Sequence, residues 1–211
     1  MKKMLVFAAL LGAGLAAQPA QALPAGPLDF TVMRDGSKVG THLIDVTRDA
    51  GETRVDIETE VAVKLAFVTL YRFEHEGHEV WRNGHLVQIR SKTDDDGTAK
   101  SLQGEMNGKG LKVDGSAQRF VADPAIIPAS LWNMDIVEQS RILNTLDGSE
   151  MEVSTRLIGE ESVEVHGKTV SARHYSMSGQ LQRDVWFDAD GTLVQVRFKG
   201  SDNSDIRYVL N

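Results

Sequence analysis

The densest set of chemically able side chains is Glu74-His75-Glu76-Gly77-His78-Glu79. Imidazoles and carboxylates at this density are the raw material of a zinc or copper site, or of general acid–base chemistry. The spacing is one residue short of the His-Glu-x-x-His helix motif, and the surrounding pattern is that of a strand. On a regular strand His75 and His78 point to opposite faces, and only a bulge at Gly77 brings them together. His42 and His85 are the cross-strand neighbours that would complete such a site. Polar residues on a wet strand face explain the cluster equally simply, so His75 and His78 are weak metal candidates.

Other chemistries are absent from the sequence. There is no cysteine, which excludes thiol catalysis and thiolate metal sites. No Gly-x-Ser-x-Gly motif occurs, no serine is followed three residues later by lysine, and no P-loop motif is present. Asp188-Ala189-Asp190-Gly191 places its glycine fourth rather than sixth, so it reads as a turn and not a calcium loop. Acids are abundant, and for that reason no carboxylate pair stands out for sugar hydrolysis. No cofactor is indicated, and the reading leans away from an enzyme.

The elements that would position any site are strands. Val55, Ile57, Thr59, Val61, Val63, Leu65 and Phe67 alternate with Arg54, Asp56, Glu58, Glu60 and Lys64, which predicts one long strand over residues 55–67 with one face buried. Turn signals recur about every ten residues. They include Asp35-Gly36, Asp49-Ala50-Gly51, Asn83-Gly84, Asp94-Asp95-Asp96-Gly97, Asn107-Gly108, Asp114-Gly115, Asp147-Gly148 and His166-Gly167. The expected fold is all-β and mainly antiparallel: a single curved meander sheet or half-barrel. The break comes at residues 123–139. There Pro124 and Pro128 make a loop, and Ser130 is placed to cap a short helix carrying Leu131, Trp132 and Ile136. Two segments are alike, each reading acid-Val-Trp, turn, Leu-Val-Gln-aliphatic-Arg: Glu79 to Arg90 and Asp184 to Arg197. They are either two hairpins built from the same good parts or two similar halves of one sheet.

The start of the chain carries an address. Lys2 and Lys3 precede a charge-free apolar run, and Ala20-Gln21-Ala22 is a small-x-small cleavage site. Residues 1–22 are expected to be a signal peptide cut after Ala22, with residues 23–211 as one β domain in the periplasm or outside the cell. No cysteine follows the apolar run, so a lipoprotein anchor is excluded, and the rest of the chain has no second apolar run long enough to span a bilayer. The net charge of −7 argues against nucleic acid as a partner.

Several short motifs, in order, carry a family resemblance. They are Glu79-x-Trp81-x-x-Gly84-x-Leu86, Thr93-Asp94-Asp95, Ser130-x-Trp132-Asn133 and Ala172-Arg173-His174-Tyr175. Trp186-Phe187-Asp188 with Gly191, and Ile206-x-Tyr208, follow. On these the chain resembles exported bacterial β-rich proteins catalogued as a domain of unknown function. It departs from them at Asp202-Asn203-Ser204, where a glycine is expected in the last turn. The resemblance implies a strongly curved antiparallel sheet, similar to the half-barrels of periplasmic lipoprotein carriers, and no particular reaction.

Three functions follow from these readings. The first is a non-enzymatic module holding an apolar ligand, a lipid or acyl chain. Its pocket would be lined by Val55, Ile57, Val61, Phe67, Trp81, Ile126, Ile127, Trp132 and Trp186, with the Ile126-Ile127 loop as core plug or lid. The second is an envelope structural or protein-interaction domain with a closed core, exposing Asp56, Glu58 and Glu60. The third is a metal-dependent enzyme using His75 and His78.

Overall fold

The computed structural model describes residues 27–165 and 167–211. The expected signal peptide lies outside the described residues, as does His166 of one expected turn. Eight strands form a first meander: β1 (Leu28–Arg34), β2 (Ser37–Asp49), β3 (Glu52–Leu65), β4 (Val68–Arg82), β5 (His85–Asp95), β6 (Thr98–Met106), β7 (Leu111–Gly115) and β8 (Arg119–Ala122). A second run holds β9 (Ile127–Pro128), β10 (Arg141–Leu143), β11 (Glu150–Val165), β12 (Lys168–Gly179), β13 (Arg183–Phe187), β14 (Leu193–Lys199) and β15 (Asp205–Leu210). All fifteen belong to one open sheet, ordered from β8 back to β1, then from β15 back to β9. Pairing is antiparallel except between β9 and β10. The sheet edges, β8 and β9, are consecutive in the chain, so four residues close the curve that the sheet leaves open.

Turn chemistry sets the register. At Asp35-Gly36, Ala50-Gly51, Asn83-Gly84 and Asp96-Gly97 both central residues have positive φ, the backbone whose twist matches that of the flanking strands. In the departing turn Asn203 takes φ 67°, so an asparagine supplies the left-handed residue expected of glycine.

Two sequence expectations need correction. The long strand ends at Leu65, and Phe67 lies in a two-residue turn whose Ala66 has φ 53°. That reversal carries no glycine, asparagine or aspartate, so the alternating pattern runs through it unmarked. The short helix is a single 3-10 segment, Met134–Glu138, capped by Asn133 and not by Ser130. Leu131 sits at φ 67° and breaks the helical path, while Asn133 accepts a hydrogen bond from the Asp135 amide at 3.0 Å.

The inner faces bury one contiguous apolar cluster that includes Phe30, Ile44, Val55, Leu86, Leu102, Val185, Phe187 and Val196. The segment between β8 and β10 contributes Ile126, Ile127, Trp132 and Ile136 to that same cluster. The apolar loop thus fills the concave side of the sheet.

Candidate functional site

Strand β4 passes through the molecule with strict alternation. Tyr71, Phe73, His75, Gly77 and Glu79 point inward, and Glu74, Glu76 and His78 point outward. Pairing is unbroken at Gly77 on both sides, so no bulge unites His75 with His78. His42 is paired with Thr59 on β3 and His85 with Arg82 across the β4–β5 turn, so neither joins the pair. Among the described residues no three His, Asp or Glu side chains are gathered to hold a metal ion.

Inside the sheet the histidines do something else. Phe30, His42, Thr59, His75, Thr93 and Lys100 are successive cross-strand neighbours from β1 to β6 and share the inner face. His42 Nδ1 lies 2.7 Å from Thr59 Oγ1, and His75 Nδ1 lies 2.8 Å from Thr93 Oγ1. Burial pushes the His75 pKa down to about 4. Burial, and then the neighbouring His75, push that of His42 down to about 3. Both rings are therefore neutral at pH 7, and each makes one hydrogen bond to a hydroxyl that can donate or accept. Toward the β3–β4 turn the inner face continues with Tyr71, which donates to Asp95 at 2.9 Å, and Lys100, which pairs with Asp95 at 2.8 Å.

Toward the opposite end, Glu79 is buried under tryptophan. Trp81 Nε1 donates to Glu79 Oε2 at 2.8 Å, and Trp132 Nε1 donates to the same oxygen at 2.9 Å. The two indoles meet edge to face, with centroids 5.5 Å apart. Burial pushes the Glu79 pKa up, against the indole bonds that hold it down. Its Oε1 and the nearby Ser130 Oγ have no hydrogen-bond partner by geometry. This clamp ties the loop segment to β4 across the interior. The motifs Glu79-x-Trp81 and Ser130-x-Trp132 are both visible in the sequence, but their meeting is not. The available signal was a carboxylate at an inward position of an otherwise apolar strand face.

The second acid-Val-Trp motif is built differently. Both hairpins bulge at the same Leu-Val-Gln step, but Trp81 pairs with Leu86, whereas Phe187 pairs with Leu193. Trp186 is thus one residue out of register and faces away from Val185 and Phe187. It stacks on His174 at 4.1 Å and donates to Glu161 at 2.9 Å. His174 Nδ1 lies 2.8 Å from Glu161 and its Nε2 lies 3.4 Å from Asp184. The shared sequence encodes a shared bulged hairpin, and not equivalent sites.

The outer face holds two grooves. Two rows of side chains cross β2 to β6: Leu43, Glu58, Glu76, Lys92 and Ser101, and Asp45, Asp56, His78, Arg90 and Gln103. Between them runs a groove of about 550 Å³, with Gly77 and Ile57 in its floor. A second groove of about 420 Å³ adjoins it, lined by Glu58, Glu60, Glu74, Lys92 and Asp94 among others. Asp45, Asp56, Glu58 and Glu76 line the β2–β4 side of the first groove, where His78 Nδ1 meets Asp56 at 2.6 Å, and the β5 side carries Arg90 and Lys92. Sequence reasoning named Asp56, Glu58 and Glu60 but missed Arg90 and Lys92, whose place opposite them depends on strand register.

The residues expected to line an apolar pocket divide as follows. Val55, Ile57, Trp81, Ile126, Ile127 and Trp132 belong to the buried cluster, and Trp186 joins it from the other face of β13, against His174. Val61 is half-buried on β3, and Phe67 stands apart, fully exposed at the β3–β4 turn.

No curated protein matches the sequence. Among solved structures, the fold is similar to a beta-barrel-like protein of domain of unknown function DUF1849 from Brucella abortus. That similarity has a TM-score of 0.63 at 9% identity, over 90% of this chain and 98% of that one. At such low identity the likeness concerns the fold alone. The expected family resemblance is met: residues 30–211 match the model of a domain of unknown function, DUF6134, and the chain belongs to that family.

Proposed function

We propose that this chain is a non-enzymatic interaction domain of the bacterial envelope, with a closed core and an outer face that engages its partner. The observation that carries the reading is how the interior is filled. Most of the apolar side chains that would line a lipid cavity, Phe67 and Val61 apart, are packed into one buried cluster with the Ile126–Trp132 loop, and two grooves open on the polar outer face. The interior is also chemically unsuited to an acyl chain along much of its length. His42, Thr59, His75, Thr93, Asp95 and Lys100 occupy inner positions there, and burying apolar ligand against them would strand polar groups.

Native mass spectrometry of the chain purified from an exporting host, with organic extraction, tests the reading. The expected result is the polypeptide mass alone. A discrete lipid adduct that survives purification overturns it in favour of an apolar-ligand carrier.

A further inference from the structure

The β3–β4 hairpin leaves the ladders of its neighbours before it turns. Pairing of β3 with β2 stops at Val61, opposite Gly40, and pairing of β4 with β5 stops at Phe73, opposite Asp95. The backbone of residues 62–71 pairs only within the hairpin, with a bulge beside Val63, while the Arg72 carbonyl still accepts from the Asp96 amide at 2.8 Å. This two-stranded ribbon runs about 13 Å beyond its last pairing with β2, at 3.3 Å per residue. Its end is apolar and bare: Leu65 is 68% exposed, Phe67 104%, Val68 61% and Leu70 56%. Such a cluster on a soluble surface calls for a partner phase.

Charge identifies that phase. The chain carries 30 acids against 23 lysines and arginines, yet no acid occurs between Glu60 and Glu74. The two charges in that stretch are Lys64, exposed near the tip, and Arg72, paired with Glu74 at the base. Apolar side chains at a tip with a cation just behind them match the layering of a bilayer surface, acyl chains below anionic headgroups. A convex tip also needs a deformable acceptor more than a preformed pocket.

We propose that the β3–β4 ribbon is a membrane-surface anchor, inserting Leu65, Phe67, Val68 and Leu70 into an anionic bilayer interface with Lys64 among the headgroups. The inference goes beyond the closed-core reading and does not depend on it.

The test is co-sedimentation with vesicles of phosphatidylcholine containing 30% phosphatidylglycerol and with vesicles of phosphatidylcholine alone, on chains prepared identically from an exporting host. The wild type should partition onto the anionic vesicles. The double variant Phe67→Ser, Val68→Ser should lose at least about tenfold in partitioning. Lys64→Glu should lose binding chiefly on the anionic vesicles. The control pair Leu157→Ser, Ile158→Ser, exposed apolar residues on a different hairpin, should bind as wild type. A Phe67→Trp chain, which keeps an aromatic tip, should show a blue-shifted emission increment when anionic vesicles are added. Wild type that stays in the supernatant overturns the proposal, as does equal binding by the serine tip variant. Vesicle-independent self-association that the tip variant abolishes would instead assign the tip to a second copy of the chain.

Discussion

Glu79 keeps a carboxyl group in the core because two indole N–H groups converge on one of its oxygens. Burial still outweighs those bonds, and its pKa is raised. A carboxyl whose folded pKa exceeds its unfolded one contributes fully when both states are protonated, and that contribution is lost as pH rises through the folded value. Glu79→Gln keeps an oxygen for the indoles without the charge. It should stabilise the protein at pH 8 and lose that advantage below about pH 4, where a free glutamate is protonated. Urea titrations at both pH values decide the matter, and a less stable glutamine variant at pH 8 would mean the clamp favours the anion. Trp132→Phe removes one donor and should cost about 1–3 kcal/mol. The buried histidines have the opposite sign. Their folded pKa values, about 4 for His75 and about 3 for His42, lie below that of a free imidazole. Stability from the neutral rings is complete above about pH 6.5 and lost as pH falls toward those values. His75→Gln should flatten the stability profile between about pH 6.5 and 4, by roughly 3 kcal/mol at the acid end. An unchanged slope would show that His75 titrates freely.

Elements are where backbones must approach closely, and Gly40 is the clearest case. A Cβ there would stand 2.0 Å from the Glu60 carbonyl oxygen and 2.8 Å from Val61 Cα. Those are backbone atoms of the paired strand and cannot rotate aside. Gly40→Ala should therefore cost about 3 kcal/mol, the upper end for overpacking, read as a lower urea midpoint at unchanged slope. The same scale shows what the sequence could and could not disclose. Alternation on β3 and the Asn83-Gly84 turn were legible, because side-chain period and positive φ are local demands. The end of β3 was not, because Ala66 adopts a left-handed φ without the residue type that advertises it. The bulges that put Trp81 and Trp186 out of step depend on which residue a partner strand offers, and so does the row joining His42, Thr59, His75 and Thr93. The Glu79 clamp needs Trp132, 53 residues away, and no periodicity reports such a distance.

At the scale of the whole molecule, two meanders meet at one seam. β1 and β15 pair from Phe30 with Leu210 to Arg34 with Ile206, and the Asn211 amide donates to the Asp29 carbonyl at 2.9 Å. Thr31 reaches Asn211 across 180 residues of chain. The far edges are bound by the four residues between β8 and β9 and by the apolar loop that follows. A sheet stitched by its termini must close a very long loop before that seam forms, which costs entropy and slows folding. A chain ending at Ser204 would lose β15, leave β1 and β14 as open edges and strand the inner residues Phe30 and Val32. It should lose the single cooperative transition expected of the intact chain, with calorimetric and van't Hoff enthalpies no longer equal. A circular permutant joining Asn211 to residue 27 by a short linker and opened at Asn83-Gly84 should keep that transition, because the seam then becomes local. If the truncated chain still melts in one step, the two meanders are held as one cooperative unit without the seam, by the loop packed between them. If the permutant fails while the truncation succeeds, the β4–β5 turn is the element on which cooperativity rests.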